Sequence, residues 1–288
     1  MNFNLLSKKP AALLLLARHS RCLSTVPLSY TKTTAAPSVS ANPPLLIVHG
    51  LFGSKQNWRA IANQLTRTLN RDTYSVDLRN HGESPHQSPH TYPAMSQDIQ
   101  QFIQDHQLTK PVLLGHSMGG KVVMQVALER PDLVSQLIVD DIAPVKLRLS
   151  HDFDKYVDKL KEIEAAGVKS QKVADEMLCE AEEDLGVRQF LLTNMKRIDG
   201  VYRSRVPLDL LRDSLSNVMG WEAEGVYTGP TLFISGKKSP HVRPGVYEEI
   251  KKLFPNYELD ELDTGHWVHA EKPREFMALV EEFIRRNE

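Results

Sequence analysis

Two things are scarce in this 288-residue chain: cysteine, present only as Cys22 and Cys179, and acid near the N-terminus, where no Asp or Glu precedes Asp72. Two cysteines make neither a disulfide framework nor a metal-ligand spacing. No apolar run approaches the roughly 20 residues needed to cross a bilayer, so no membrane span is expected. Charge of one sign is lacking too: the net charge of −1 gives no electrostatic case for nucleic acid or an anionic membrane face. What is present, 41% hydrophobic and 25% charged residues, is the make-up of a soluble globular protein of one large domain or two ordinary ones.

The N-terminus differs in kind. Residues 1–42 carry Lys8, Lys9, Arg18, Arg21 and Lys32, many Ser and Thr, and no acid. Basic, hydroxylated and acid-poor is the composition of a mitochondrial transit peptide. A secretory signal is the rival, because a short apolar core follows Lys8 and Lys9. Arg18 and Arg21 then stand where a signal peptidase site wants small neutral residues, and the cysteine content gives no sign of secretion. The stretch Arg21-Cys-Leu-Ser24 resembles sites where mitochondrial presequences are trimmed.

Beyond it, short apolar runs at 45–48, 74–78, 112–114 and 137–139 alternate with helical patterns at 58–65, 95–106 and 118–130. Strands and helices in this rhythm argue for right-handed βαβ crossovers and a parallel sheet. A first strand is expected at 28–33. Residues 146–222 break the rhythm, showing amphipathic helical patterns (Phe153, Tyr156, Val157, Leu160, Ile163) and no good strand signal. It resumes with a strand at 231–235, a helix near 244–253, a strand at 257–262 and a closing helix at 273–286. A helical insertion placed so is expected to lie over the C-terminal edge of the sheet, where open α/β folds bind ligands.

In VLLGHSMGGK (112–121), Ser117 stands between Gly115 and Gly119, after a strand and before a helix. This is the context of the nucleophile elbow, G-x-S-x-G, in which glycines remove the Cβ atoms that would collide at a sharp turn. The segment lacks the spacing of a phosphate loop.

A hydroxyl needs a base, and the base an orienting acid, in the chain order Ser, acid, His. Among later histidines, His151 opens the insertion, His241 follows the 231–235 strand, and His266 sits in a Gly-containing loop after the last strand. His266 is the preferred base; His269 is its near competitor and is expected to pack against the last helix. The loop 235–241 has Ser239 where an acid commonly stands, and it has no carboxylate. The acid must then come from the preceding strand, which ends in Asp140 and Asp141. Successive strand residues point to opposite faces, so only one can aim at the base. Asp141, nearer the exit, is chosen, with Asp140 as the alternative. The oxyanion donors expected are the backbone amides of Met118 and of Leu51, with Phe52 the alternative to Leu51. The loop DLRNHGES (77–84) is expected to be held by its own hydrogen bonds rather than by a metal.

Taken together, HGLFGSKQNW, DLRNHGESPH, GHSMGGK, DIAPV, VRQFLLTN and GHWVHAEKP resemble one branch of the α/β-hydrolase superfamily. That branch holds the mitochondrial α/β-hydrolase domain-containing proteins of the eleventh subgroup, the YbfF-type bacterial esterases and the yeast ethanol acetyltransferases. The resemblance runs from about Pro27 to the C-terminus. It implies an α/β-hydrolase fold: a mostly parallel sheet flanked by helices, with a helical cap before the last two strands. It likewise implies Ser117 as nucleophile, His266 as base, Leu51 and Met118 as oxyanion donors, the acid at the position of Asp141, and Ser239 hydrogen-bonding near the His. The layout expected is a transit peptide over 1–25, core over 26–145, cap over 146–222 and core again over 223–288.

The function expected is hydrolysis of a carboxylic ester or thioester through an acyl-enzyme, with no metal or organic cofactor, in the mitochondrial matrix. Phe52, Met118 and Trp267 are expected to crowd the acyl pocket and favour a short or medium acyl group. Interception of the acyl-enzyme by an alcohol such as ethanol is the first rival, and a hydrolase-fold protein acting by binding a mitochondrial partner is the second. Dehalogenase and epoxide hydrolase chemistry is disfavoured, since those relatives need a carboxylate where Ser117 stands.

Overall fold

The computed structural model describes residues 24–36, 42–147 and 152–288. The expected transit peptide falls outside these residues except for Ser24 and Thr25, and His151 lies outside them altogether.

In chain order the core begins with β1 (Tyr30–Thr33), β2 (Leu45–Val48), α1 (Arg59–Leu69), β3 (Thr73–Val76), α2 (Tyr92–Asp105), β4 (Val112–His116), α3 (Met118–Glu129) and β5 (Gln136–Asp140). The insertion follows with α4 (Asp152–Ala165), α5 (Gln171–Leu178), α6 (Leu185–Leu192), β6 (Met195–Ile198), β7 (Val201–Ser204), α7 (Leu208–Asp213) and α8 (Leu215–Met219). The core closes with β8 (Thr231–Gly236), α9 (Tyr247–Leu253), β9 (Tyr257–Leu262), α10 (Val268–Glu271) and α11 (Pro273–Arg286).

Seven strands form one sheet in the order β1-β3-β2-β4-β5-β8-β9, with β1 antiparallel to β3 and every other pair parallel. The central strands are unbroken apolar runs because both faces are covered. Leu45, Ile47, Val112, Leu114, Ile138, Leu232 and Ile234 pack on one side with α1 and α11 residues such as Leu65, Phe276 and Val280. Leu46, Val48, Leu113, Val139 and Phe233 pack on the other, with Ile99 of α2 and Val123 of α3. Parallel strands finish on one edge, so the residues after β2, β4, β5, β8 and β9 all gather there.

The insertion is not purely helical, which corrects the expectation for residues 146–222. β6 and β7 form an antiparallel hairpin with Lys196 opposite Arg203 and Ile198 opposite Val201. Its two-residue turn is Asp199-Gly200, both at positive φ (49° and 84°), the requirement of a type I′ turn. The Asp-Gly pair flanked by Ile and Val was the available signal, masked by the charged residues Lys196, Arg197 and Arg203. Lys121 Nζ donates to Gly220 O (3.0 Å) and Tyr92 O–H to Val218 O (2.6 Å), which fastens the end of the insertion to the core.

Candidate active site

Ser117 is the single residue between β4 and α3, held at φ 53° and ψ −120°. A residue with a Cβ keeps such a conformation only under constraint, at a cost of order 1–3 kcal/mol. The constraint is visible in the packing. A Cβ on Gly115 would lie 2.4 Å from Gly119 O, and one on Gly119 would lie 2.4 Å from both Val48 O and His49 O. Helix α3 therefore presses against the ends of β4 and β2, and only glycine fits at either contact.

Three of the expected residues come together in one hydrogen-bonded line. His266 Nδ1 lies 2.7 Å from Asp141 Oδ2, and His266 Nε2 lies 3.0 Å from Ser117 Oγ. With Nδ1–H donating to the carboxylate, Nε2 is left to accept the Ser117 hydroxyl proton. Burial, with the neighbouring His269, lowers the pKa of His266, which keeps the imidazole neutral. Burial pushes the Asp141 carboxyl up, against hydrogen bonds that favour its anion from Ser239 Oγ and the Gly236 amide (2.9 Å). Asp141 itself stands at φ 49°, just past the end of β5. Ser239 thus reaches the carboxylate and not the imidazole, although both bond the same oxygen.

Asp140 turns the other way. It shares the sheet face of Ile138, and its Oδ2 lies 2.6 Å from Nδ1 of His269, whose ring stacks on Trp58 at 4.1 Å. Burial raises the Asp140 pKa to about 8 and lowers that of His269 to about 3. His116 stands between the two histidines and donates Nε2–H to the carbonyl of His266 (3.0 Å). The ligand atoms of His116, Asp140 and His269 lie within 4.8 Å of one another. The bonds they make, His269 Nδ1 to Asp140 Oδ2 and His116 Nε2 to His266 O, make them a buried hydrogen-bond cluster behind His266, in which Asp140 Oδ1 keeps no partner among the described residues. His241 packs its ring 4.4 Å from that of His266 and makes no bond to Ser117.

The two oxyanion alternatives are separated by their partners. The Phe52 amide donates to His81 Nε2 (3.1 Å), while the amides of Leu51 and Met118 donate to no protein acceptor among the described residues. Of the candidate amides, those of Leu51 and Met118 are thus the ones with no protein acceptor among the described residues. His81 anchors Phe52 because its own Nδ1–H is spent on Arg79 O (3.1 Å). His49 likewise accepts from the Leu78 amide (3.0 Å) and donates to Gly50 O (2.8 Å). Asp77 binds Lys55 Nζ (2.5 Å) and the Glu83 amide (2.9 Å). The 77–84 loop is thus held partly by its own bonds and partly by His49, Phe52 and Lys55 outside it. The roles of His81 and His116 were not apparent from the sequence, since a histidine serving a backbone group carries no pattern.

A cleft of about 850 Å³ opens beside His266, with Ile61, Val187, Phe190 and Trp267 among its apolar walls and Lys238 and Glu271 as charged ones. Trp267, one of the residues expected around the acyl group, lines this cleft; Ser117 does not. Phe52 does not line it either: its ring is 1% exposed and stacks on Phe153 of the insertion.

The model of the alpha/beta hydrolase fold family matches residues 43–273. The chain is 38% identical to the mouse sn-1-specific diacylglycerol lipase ABHD11, over 91% of this chain and 86% of that one. It is 39% identical to a Saccharomyces cerevisiae protein named probable alcohol acetyltransferase, over 85% of this chain and 78% of that one. Among solved structures, a marine microorganism esterase superposes with a TM-score of 0.84 at 33% identity, covering 90% of this chain and all of the other.

Proposed function

Because the chain belongs to the alpha/beta hydrolase fold family, we propose that it is a serine ester hydrolase in which Ser117, His266 and Asp141 act as nucleophile, base and orienting acid. The observation that carries this is the unbroken line from Asp141 Oδ2 to His266 (2.7 Å) to Ser117 Oγ (3.0 Å), with two uncommitted amides alongside. Ser117 Oγ attacks the acyl carbonyl as its proton passes to His266 Nε2. The carbonyl oxygen becomes an oxyanion, received by the Leu51 and Met118 amides. Collapse expels the alcohol or thiol, which takes the proton from His266. Water then repeats the sequence on the acyl-enzyme and frees the acid. Asp141 stabilises the imidazolium at each stage without itself being protonated.

The substrate class proposed is an ester or thioester whose aliphatic acyl group lies along the cleft walled by Val187, Phe190 and Trp267. The name of the mouse relative supports including acylglycerols in that class. Transfer to an alcohol is the second reading, supported by the yeast relative's name. The experiment is to offer the purified protein an acyl ester or acyl-thioester series with and without ethanol. Hydrolysis expects free acid as the main product at all ethanol concentrations tested. Ethyl ester overtaking free acid at low ethanol would establish the transfer reading instead.

The location proposed is the mitochondrion, its matrix included, with residues 1–25 as the transit peptide, supported by the acid-free basic composition before Asp72. Import of a reporter fused to residues 1–25 tests it, and a reporter left outside mitochondria would refute it.

A further inference from the structure

Phe52 is a bulky residue at φ 60°, a conformation that costs a residue with a side chain roughly 1–2 kcal/mol. It sits next to Leu51, the candidate oxyanion donor, so what holds Phe52 there also places the Leu51 amide. Two hydrogen bonds do so, one from each part of the molecule. On the core side, the Phe52 N–H is taken by His81 Nε2 (3.1 Å). On the cap side, the Phe52 carbonyl accepts from Asn194 Nδ2 (2.8 Å).

Asn194 is built to make that bond. It is 5% exposed, and it joins the end of α6 to the start of the β6–β7 hairpin. Its amide donates to Leu191 O (3.0 Å), its Nδ2 is also 3.3 Å from that oxygen, and its own carbonyl accepts from the Arg205 amide (2.7 Å). The helix that ends two residues before it carries Val187 and Phe190, which line the cleft beside His266. One continuous run of chain therefore touches the proposed acyl cleft at one end and the loop of Leu51 and Phe52 at the other.

We infer that Asn194 is a positioning residue that couples seating of the cap on a bound substrate to assembly of the oxyanion site. When an acyl group fills the cleft, contacts with Phe190 and Val187 hold α6 down, Asn194 keeps the Phe52 carbonyl, and the Leu51 amide stays aimed at the reacting centre. When α6 lifts, Phe52 loses one of its two ties and relaxes out of its strained conformation, and Leu51 moves with it. This couples a ground-state contact to a transition-state one, which is how remote binding energy raises kcat rather than only lowering KM. The inference rests on the serine-hydrolase reading.

The test compares wild type with Asn194→Asp, which keeps the shape and removes the donor. Misplacing one oxyanion donor should lower kcat about 10- to 100-fold with KM little changed. The affinity for an acyl trifluoromethyl ketone, whose adduct with Ser117 is an oxyanion, should fall by the same factor. A fall in kcat without any fall in that affinity, or no fall in either, overturns the inference. A second measurement needs no variant: hydrogen exchange on wild type with and without the ketone. Residues 50–53 and 190–195 should gain protection together; protection of the first without the second contradicts the coupling. Wild type that forms no adduct with the ketone would instead count against the serine-hydrolase reading itself.

Discussion

Ser239 and His266 bond the same oxygen, Asp141 Oδ2, one through its hydroxyl and the other through Nδ1 at 2.7 Å. The carboxylate is thus shared between a base and a hydroxyl that stands where an acid commonly does. Asp141→Asn should lower kcat about 10⁴-fold, because an amide can force the wrong imidazole tautomer. Ser239→Ala removes one hydrogen bond to an anion that retains its others and should cost about tenfold. Steady-state kinetics on a soluble ester, with circular dichroism to check folding, reads both. The opposite ranking would move the acid's role away from Asp141.

Asp140 and Asp141 are neighbours with separate histidines, which separates their expected defects. Asp140→Asn disturbs a fully buried partner of His269 and should lower stability by about 1–3 kcal/mol while leaving kcat within about tenfold. Denaturant unfolding and kinetics on the same preparation distinguish the two effects. A collapse of kcat at unchanged stability would make Asp140 the acid.

Acidity should act twice. His266 must be neutral to accept the serine proton, and burial lowers its pKa below the ordinary 6.5. Activity is therefore present above the folded pKa and lost as pH falls through it, so the acidic limb of kcat/KM should have its midpoint below pH 6.5. His116 and His269 are both lowered to about 3 by burial. Between pH 6.5 and about 3 the unfolded chain takes up protons on these two histidines that the folded one refuses. The single Asp140 carboxyl, raised to about 8, opposes this until its unfolded value near 3.8, so stability should fall through that window and most steeply at its acid end. A pH–rate profile and thermal melts check each; an acidic limb above 6.5, or a melting temperature that does not drop on acidification, contradicts the assignment.

Gly119→Ala places a methyl group 2.4 Å from two backbone carbonyl oxygens of the β2 end. Neither oxygen is on a flexible side chain, so α3 must shift and the elbow with it. A loss of more than about 3 kcal/mol and of measurable turnover is expected. A melting temperature equal to wild type would show that the contact yields more easily than its geometry implies.

Much of this was legible in the sequence because it is written in local patterns. Runs such as 45–48 and 112–114 are apolar throughout because both sheet faces are covered, and the Ile61, Leu65, Leu69 spacing marks one buried side of α1. Ser117 announces itself through its glycines, and Asp141 through the missing acid around Ser239. What escaped depends on partners distant in sequence. The hairpin at 195–204 hid under its charges. Phe52 was taken for pocket lining, yet its ring is buried under Phe153 while its backbone carries the strain. Asn194 lies 142 positions from the carbonyl it holds, and no spacing rule reports such a bond.

The central claim is an activated Ser117, and intact-protein mass spectrometry after fluorophosphonate treatment tests it most directly. The account predicts one adduct on wild type and none on Ser117→Ala, with both proteins folded. Folded wild type left unlabelled, or a variant labelled as fully as wild type, would contradict it.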